Sequence, residues 1–337
     1  MYVLLLTVVL FASCRKTDSI VGPPPPPSTL GMYVVNEGGF SGGGALSYYD
    51  TELDSIFNNV VGPAQSWVFP NDMKIVHSKG YVTVNGLDRI DVIDVSINQV
   101  IHSIVFPQYT GPGFLATGTV TVSGAELYTA NYNGTVSTID GSIDSLRSTS
   151  PAVVGFPGGI AYSGGKVFIS DIGLYPTAGT LVKVLSATTG AVIDSVTVNN
   201  APGALAVING KVFVVCTGTS KIYQINTGTD ALEDSIQLSG YYSDMTTDGQ
   251  SLYVLSSDSV TKVAPGPLRV VQSSVVKRTN GIYFYSLAVD ETNGDIHVSN
   301  IISSGGSGEV EIYSAAGVLK RQPLSVGVFP GAFAFKR

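Results

Sequence analysis

Charge is scarce in this chain. Only 13% of its 337 residues are Asp, Glu, Lys or Arg, and the balance is acidic, with a formal net charge of -7. Apart from Arg15 and Lys16 the basic residues do not cluster, so no stripe of cations is available to neutralise a phosphate backbone, which discounts nucleic acid as a partner. Cysteine is nearly absent as well. Cys14 and Cys216 sit in such different settings that a disulfide between them is not expected, and Cys216 closes the apolar run Val212 to Val215, as a small buried side chain does. The three histidines, His77, His102 and His297, are scattered, with no metal-ligand spacing and no nucleophile–base arrangement around them. A non-enzyme without metal or cofactor is therefore the expectation; were the chain a hydrolase, Glu37 would be the first carboxylate to suspect. Long helical periodicity is missing beyond the first dozen residues, so helix is a minor component.

What the chain does have is a repeated strand. Tyr33 to Asn36 returns as Tyr81 to Asn85, Leu127 to Asn131, Val167 to Asp171, Val212 to Cys216, Leu252 to Ser256 and Ile296 to Asn300. Anchored on Tyr33, Tyr81, Tyr128, Phe168, Phe213, Tyr253 and His297, the copies are spaced by roughly 40 to 48 residues, the length of one four-stranded propeller blade. Seven copies predict an all-β, seven-bladed propeller. The fourth unit shows the grammar: strands over Pro157 to Tyr162, Val167 to Asp171, Thr180 to Leu185 and Ala191 to Val198, with a loop over Ile172 to Gly179. The seventh outer strand is expected over Val318 to Val326. After it, Phe329 to Phe335 repeats the opening of an inner strand with no blade to follow, while the first unit lacks an inner strand of its own. The C-terminal strand is thus expected to complete blade one and close the ring.

The N-terminus is a separate problem. Met1 to Ser13 is apolar but too short to cross a bilayer, and reads as a signal peptide. Leu10 to Cys14 resembles the bacterial lipobox, which implies lipidation of Cys14. Residues 14–29 then form a linker whose run Pro23 to Pro27 is a stiff polyproline II spacer of about 15 Å, and residues 30–337 form the propeller. The implied setting is a monomeric head in the cell envelope, touching the outer membrane through its anchor alone, on its periplasmic or outer side.

The strands Tyr33 to Asn36, Tyr81 to Asn85 and Tyr128 to Asn131 resemble the YVTN repeat of bacterial YncE-like propellers. The opening Asn36, Glu37, Gly38 through Tyr48, Tyr49, Asp50 resembles surface lipoprotein propellers of the Bacteroidetes. Some relatives of that kind bind corrinoids beside a TonB-dependent outer-membrane transporter, so the resemblance implies an uptake accessory as one role. A structural or adhesive protein binding polysaccharide or protein, and a lactonase-like hydrolase, are the rivals.

Strand order sorts the loops onto two faces. Connections from outer strand to next inner strand, and between strands two and three, share one face, and on it fall nearly all loop aromatics. The opposite turns hold none. Aromatic rings beside polar groups suit flat or sugar-like ligands or a protein partner. Phe69, Phe156 and Phe329 read as wedges between blades, whereas Trp67, Tyr241, Tyr242, Tyr283 and Tyr285 are expected to touch a small-molecule ligand or an outer-membrane partner. Asn36, Asn85, Asn131, Asp171 and Asn300, at the ends of the second strands, are expected to circle the mouth of the central channel, with Arg89 nearby and only Asp88 to pair with.

Overall fold

The structure is a computed structural model and describes residues 30–39, 42–62 and 66–337. The expected signal peptide, Cys14, the proline run and Phe40 lie outside them. Seven four-stranded antiparallel sheets form the ring, numbered in chain order. Blade two is β4 (Pro70–Val76), β5 (Lys79–Val84), β6 (Arg89–Asp94) and β7 (Gln99–Val105), and blade three is β8 (Pro112–Thr121), β9 (Gly124–Asn131), β10 (Val136–Asp140) and β11 (Ser145–Thr149). Blade four is β12 (Pro157–Ser163), β13 (Lys166–Leu174), β14 (Thr177–Ser186) and β15 (Val192–Thr197). Blade five is β16 (Pro202–Ile208), β17 (Lys211–Cys216), β18 (Lys221–Asn226) and β19 (Leu232–Gln237). Blade six is β20 (Tyr242–Thr247), β21 (Leu252–Ser256), β22 (Ser259–Pro265) and β23 (Leu268–Lys277), and blade seven is β24 (Tyr283–Val289), β25 (Ile296–Ile301), β26 (Ser307–Tyr313) and β27 (Leu324–Val328). Blade one joins both ends of the propeller: β1 (Gly31–Asn36), β2 (Ala45–Asp50) and β3 (Ser55–Val61) take β28 (Pro330–Lys336) as their inner strand.

Alternation explains why these segments are strands and where they bury. Second strands are apolar on both faces because a blade is packed on both sides by its neighbours, so β5, β17 and β21 are buried along nearly their whole length. The core is a chain of clusters at the blade junctions rather than one centre. Tyr81, Ile90 and Val92 of blade two meet Leu115, Leu127 and Ile139 of blade three, and Phe213 and Val215 of blade five meet Met245 and Val254 of blade six. Each such side chain removed from water stabilises the ring by roughly 1.5–3 kcal/mol.

Two boundaries differ from the sequence expectation. In blade four the loop over 172–179 is a hairpin continuing the sheet, because a bulge between Asp171 and Gly173 lets Gly173 and Leu174 pair with Ala178 and Thr177. In blade seven the outer strand begins at Leu324 rather than Val318, since Val318 and Lys320 are folded back in a turn by bonds from Ser314 N to Val318 O and Lys320 N to Ile312 O.

Every inner strand breaks register with its second strand at the same place. Pro70 faces Val84 but Met73 faces Val82, Pro157 faces Asp171 but Gly159 faces Ser170, and the five others shift equivalently. Such a bulge re-aims side chains next to the opening it borders. As a result consecutive residues line the channel: Asn71 with Asp72, Ser243 with Asp244, Tyr285 with Ser286.

Candidate ligand-binding site at the channel mouth

The bulges surround a cavity of about 610 Å³ where the channel opens on the aromatic face. Its two halves differ. In blades four and five the wall is backbone, because Gly158, Gly159 and Gly203 let the inner strands approach closely; a Cβ on Gly158 would lie 2.4 Å from the Pro202 carbonyl. Blades six, seven, one and two supply the polar groups: Asp244, Tyr285, Glu37, Asp72 and Lys74.

Asp72 and Asp244 occupy the same position in their blades and are held alike. The Met73 and Leu115 amides donate to Asp72 at 2.7 and 2.9 Å, and those of Met245 and Leu287 donate to Asp244. Each carboxylate therefore bridges its own strand to the next blade. Asp72 forms an ion pair with Lys74 Nζ at 3.0 Å. Burial pushes Asp244 up to about 6, against its two amide bonds, with the Asp72 charge adding to the rise and the more distant Lys74 opposing it.

Glu37 follows the last residue of β1 and is fixed by its own amide bonding to Phe329 O. Its carboxylate accepts the Tyr285 hydroxyl at 2.8 Å, yet burial outweighs that bond and pushes the carboxyl up to about 7. Burial and then the Glu37 charge raise Tyr285 as well. Opposite, Tyr132 stacks on Phe156 with ring centres 5.0 Å apart and lies edge-on to Phe114 at 6.0 Å. Burial raises its phenol, and the charges of Glu37 and Asp72 add to the shift. Near neutral pH the mouth thus combines protonatable carboxyls, one ion pair and a flat aromatic wall, a set able both to donate to and to accept from hydroxyl groups.

The structure redistributes the residues expected at this site. Tyr285 is in it. Tyr283 stands beside it, edge-on to Tyr285 at 6.2 Å, and Tyr241 is exposed on the rim. Trp67 is not exposed at all: it is wedged between blades one and two, and its indole N–H donates to Asp91 at 2.6 Å. Tyr242 is likewise buried, in the core between blades five and six, its hydroxyl donating to Ser239 O at 3.0 Å. Arg89 pairs with Asp91 at 2.9 Å, beneath Trp67, rather than with Asp88, whose carboxylate accepts the Tyr109 and Gly111 amides.

The asparagines do not circle the mouth. Asn36, Asn131 and Asn300 are buried in their blades, where Asn36 donates to Ser47 Oγ and accepts the Gly327 amide, Asn131 donates to Thr135 and Ser137, and Asn300 donates to Asn280 O and Glu311. Asp171 accepts the amides of Gly155, Phe156 and Gly173, and Asn85 opens a 3-10 turn against Gly111. Short polar side chains satisfy loop backbone readily, and here that role takes them out of the lumen. The acids missed in the sequence had a signal: where the inner strands of blades one, three, four and five begin Pro-Gly, blades two and six read Asn71-Asp72-Met73 and Ser243-Asp244-Met245. Large exposed rings do favour one face, with Tyr109, Tyr175 and Tyr241 all in its loops.

No protein-family model matches the chain, and no curated protein sequence matches it. Solved structures do. A functionally unknown protein from Desulfotomaculum acetoxidans superposes with a TM-score of 0.72 at 16% identity, over 91% of this chain and 99% of that one. The periplasmic gluconolactonase of Pseudomonas aeruginosa gives 0.68 at 16% identity over 91% and 99%. A quinonprotein alcohol dehydrogenase-like protein from Bacteroides thetaiotaomicron gives 0.66 at 14% over 91% and 78%. At such identities the likeness is one of fold.

Proposed function

We propose that this propeller is a non-catalytic binding module of the cell envelope, lipid-anchored through Cys14, that takes a sugar-sized, hydroxyl-bearing molecule at the aromatic mouth of its channel. The observation that carries this reading is the pairing of hydrogen-bonding carboxyls, Glu37 on Tyr285 and Asp244, with the stacked Tyr132–Phe156 wall around one cavity of about 610 Å³. Ring faces pack on the apolar side of a sugar while the carboxyls fix its hydroxyls, and the volume falls in the range of small-molecule sites. A corrinoid, the ligand implied by the lipoprotein resemblance, would have to rest on the rim, where Tyr109, Tyr175 and Tyr241 are also free to meet an outer-membrane partner such as a TonB-dependent transporter.

A second reading, a lactonase-like hydrolase, is favoured by one feature: the Glu37 carboxyl, raised to about 7, is poised to exchange a proton near neutral pH. Calorimetric titration with glucose, glucono-1,5-lactone and cobalamin separates these readings. Saturable binding of glucose or the lactone without acid release, lost in Tyr132→Ala and weakened in Glu37→Gln, is the expected result. Turnover of the lactone that Glu37→Gln abolishes would replace the module with the hydrolase, and binding of cobalamin alone would move the site to the rim.

A further inference from the structure

Three blade junctions on the opposite face share a device, in which a second-strand side chain of one blade reaches the outer turn of the next. Tyr33 of blade one reaches under the outer turn of blade two, its hydroxyl donating to Val95 O at 3.1 Å and standing 2.5 Å from Asn98 Oδ1. Tyr81 of blade two does the same to blade three, meeting Gly141 O at 3.1 Å and Asp144 Oδ1 at 2.7 Å. Two residues upstream, Lys79 adds an ion pair with Asp144 at 2.6 Å, and in blade four the equivalent Lys166 pairs with Asp230 of blade five at 2.6 Å. Ring and cation together fill the space beneath the next turn.

Between blades seven and one both are replaced. The aligned positions hold Asp295, which turns to Lys320 of its own blade at 2.5 Å, and His297, whose imidazole is shorter than a phenol. A second cavity, of about 580 Å³, lies here between β25 and the turn joining β2 to β3. His297 is only 6% exposed, packs edge-on to Phe335 at 5.1 Å, and its Nδ1 has no hydrogen-bond partner among the described residues. A buried polar atom without a partner costs stability, and such atoms in native structures call for an explanation. Burial also keeps the imidazole neutral, its pKa pushed down to about 4.

Two guanidinium groups line the same cavity. Arg321 lies over the Tyr49 ring at 5.1 Å and pairs with Asp54, and Arg337 lies over Phe335 at 5.6 Å and pairs with Asp290 at 2.8 Å. A guanidinium has five N–H donors; Arg321 gives Nε to Gln322 O and Nη1 to the Asp54 carbonyl and carboxylate, and Arg337 gives Nη2 to Asp290, so donors are left for a second anion. Met32 and Ile312, both buried, offer apolar surface alongside Phe335. We propose that this seam cavity is a binding site for a small organic carboxylate with an aromatic or alicyclic body: the ring packs on Met32, Ile312 and Phe335, and the carboxylate takes donors from Arg321 and Arg337, within the cavity that His297 lines. The site is independent of the channel mouth and lies at the other end of the molecule.

Titration of the full chain with benzoate and cyclohexanecarboxylate, followed by the His297 imidazole resonances, tests this, with benzyl alcohol and benzylamine as uncharged and cationic counterparts. A saturable shift with at least one carboxylate and with neither counterpart is expected. His297→Tyr restores the ring of blades one and two, pushes a phenol into the part of the cavity beside Phe335, and should weaken binding as read by calorimetry while the melting temperature holds or rises. Arg337→Gln, a change at the cavity edge, should weaken binding roughly tenfold or more, and is the deciding variant should His297→Tyr not fold; Glu37→Gln should leave binding unchanged. No saturable binding of either carboxylate, or binding undiminished by the variant that folds, overturns the proposal.

Discussion

At the scale of single residues, burial decides what a side chain can do here, and Trp67 and Asp244 are opposite outcomes of it. Trp67 buries its whole ring, and the buried Asp91 that receives its N–H also holds Arg89 and Ser103. Trp67→Ala should cost about 3–5 kcal/mol, and Trp67→Phe, which leaves one Asp91 bond unmade, about 1–3 kcal/mol, both read from urea denaturation; a ligand-binding loss without a stability loss would return Trp67 to a surface role. Asp244 and Glu37 are instead half-buried with no ion pair of their own among the described residues, and are raised to about 6 and about 7 from ordinary values of 3.8 and 4.5. A raised carboxyl keeps in the folded state a proton that the unfolded chain has released. Its contribution to stability is therefore full below about pH 4 and is lost as pH rises through 6 and 7. The channel is open at its mouth, which screens these groups, so the loss is on the order of 1–2 kcal/mol for each. Depressed carboxylates such as Asp140, at about 2, act in the opposite sense and at lower pH. The test is thus a difference: between about pH 5 and 8 the Glu37→Gln, Asp244→Asn chain should lose less stability than the wild type, and parallel profiles would show that neither carboxyl is raised.

At the scale of the strand, β28 is the element that closes the ring. It pairs with β1 from Lys336 and Gly31 to Pro330 and Asn36, and buries Ala334 in the junction between blades one and two. Half-buried Phe333 and Phe335 cover the other side, against blade seven. Removal of Pro330 to Arg337 exposes that apolar surface, worth on the order of 3–6 kcal/mol for the two rings, and leaves β1 as a bare edge. Since a typical domain has a net stability of about 5–15 kcal/mol, the truncated chain should be unfolded or aggregated, by circular dichroism and size exclusion; a melt within a degree or two of the full chain would refute closure. This element was legible in the sequence because Phe329-Pro330-Gly331 repeats the inner-strand opening with no blade behind it. The blade count was legible for the same reason, since copying preserves local pattern. The site was not. Asp72 and Asp244 face the lumen only because a bulge interrupts the alternation of their strands, and a period-two reading has no place for a residue whose direction is set by a register break. Trp67 and Tyr242 were misplaced on the surface for a related reason: loop position predicts exposure, but in this fold the segments entering inner strands dive between blades.

At the scale of the molecule, closure changes how damage spreads. In an open array each unit touches only its neighbours, so a lesion at one end leaves distant units at their own stability. In this ring the first and last strands share one sheet, and opening it exposes the junctions with blades two and seven together. Blade five, on the far side, carries a reporter. Cys216 is fully buried and its thiol is pushed up to about 12 by that burial, so it is inert to thiol reagents until its blade opens. Ala334→Glu drives a carboxylate into the packed seam beside Tyr33 and Trp67, at a cost of about 2–4 kcal/mol. If the ring opens as one unit, that loss reaches blade five in full. Labelling of Cys216 under native conditions, in a chain carrying Cys14→Ser, should then accelerate by roughly tenfold for each 1.4 kcal/mol lost at the seam. Labelling at the wild-type rate alongside a lowered melting temperature would mean that the blades unfold as an array, and that β28 closes the ring in shape without coupling it in energy.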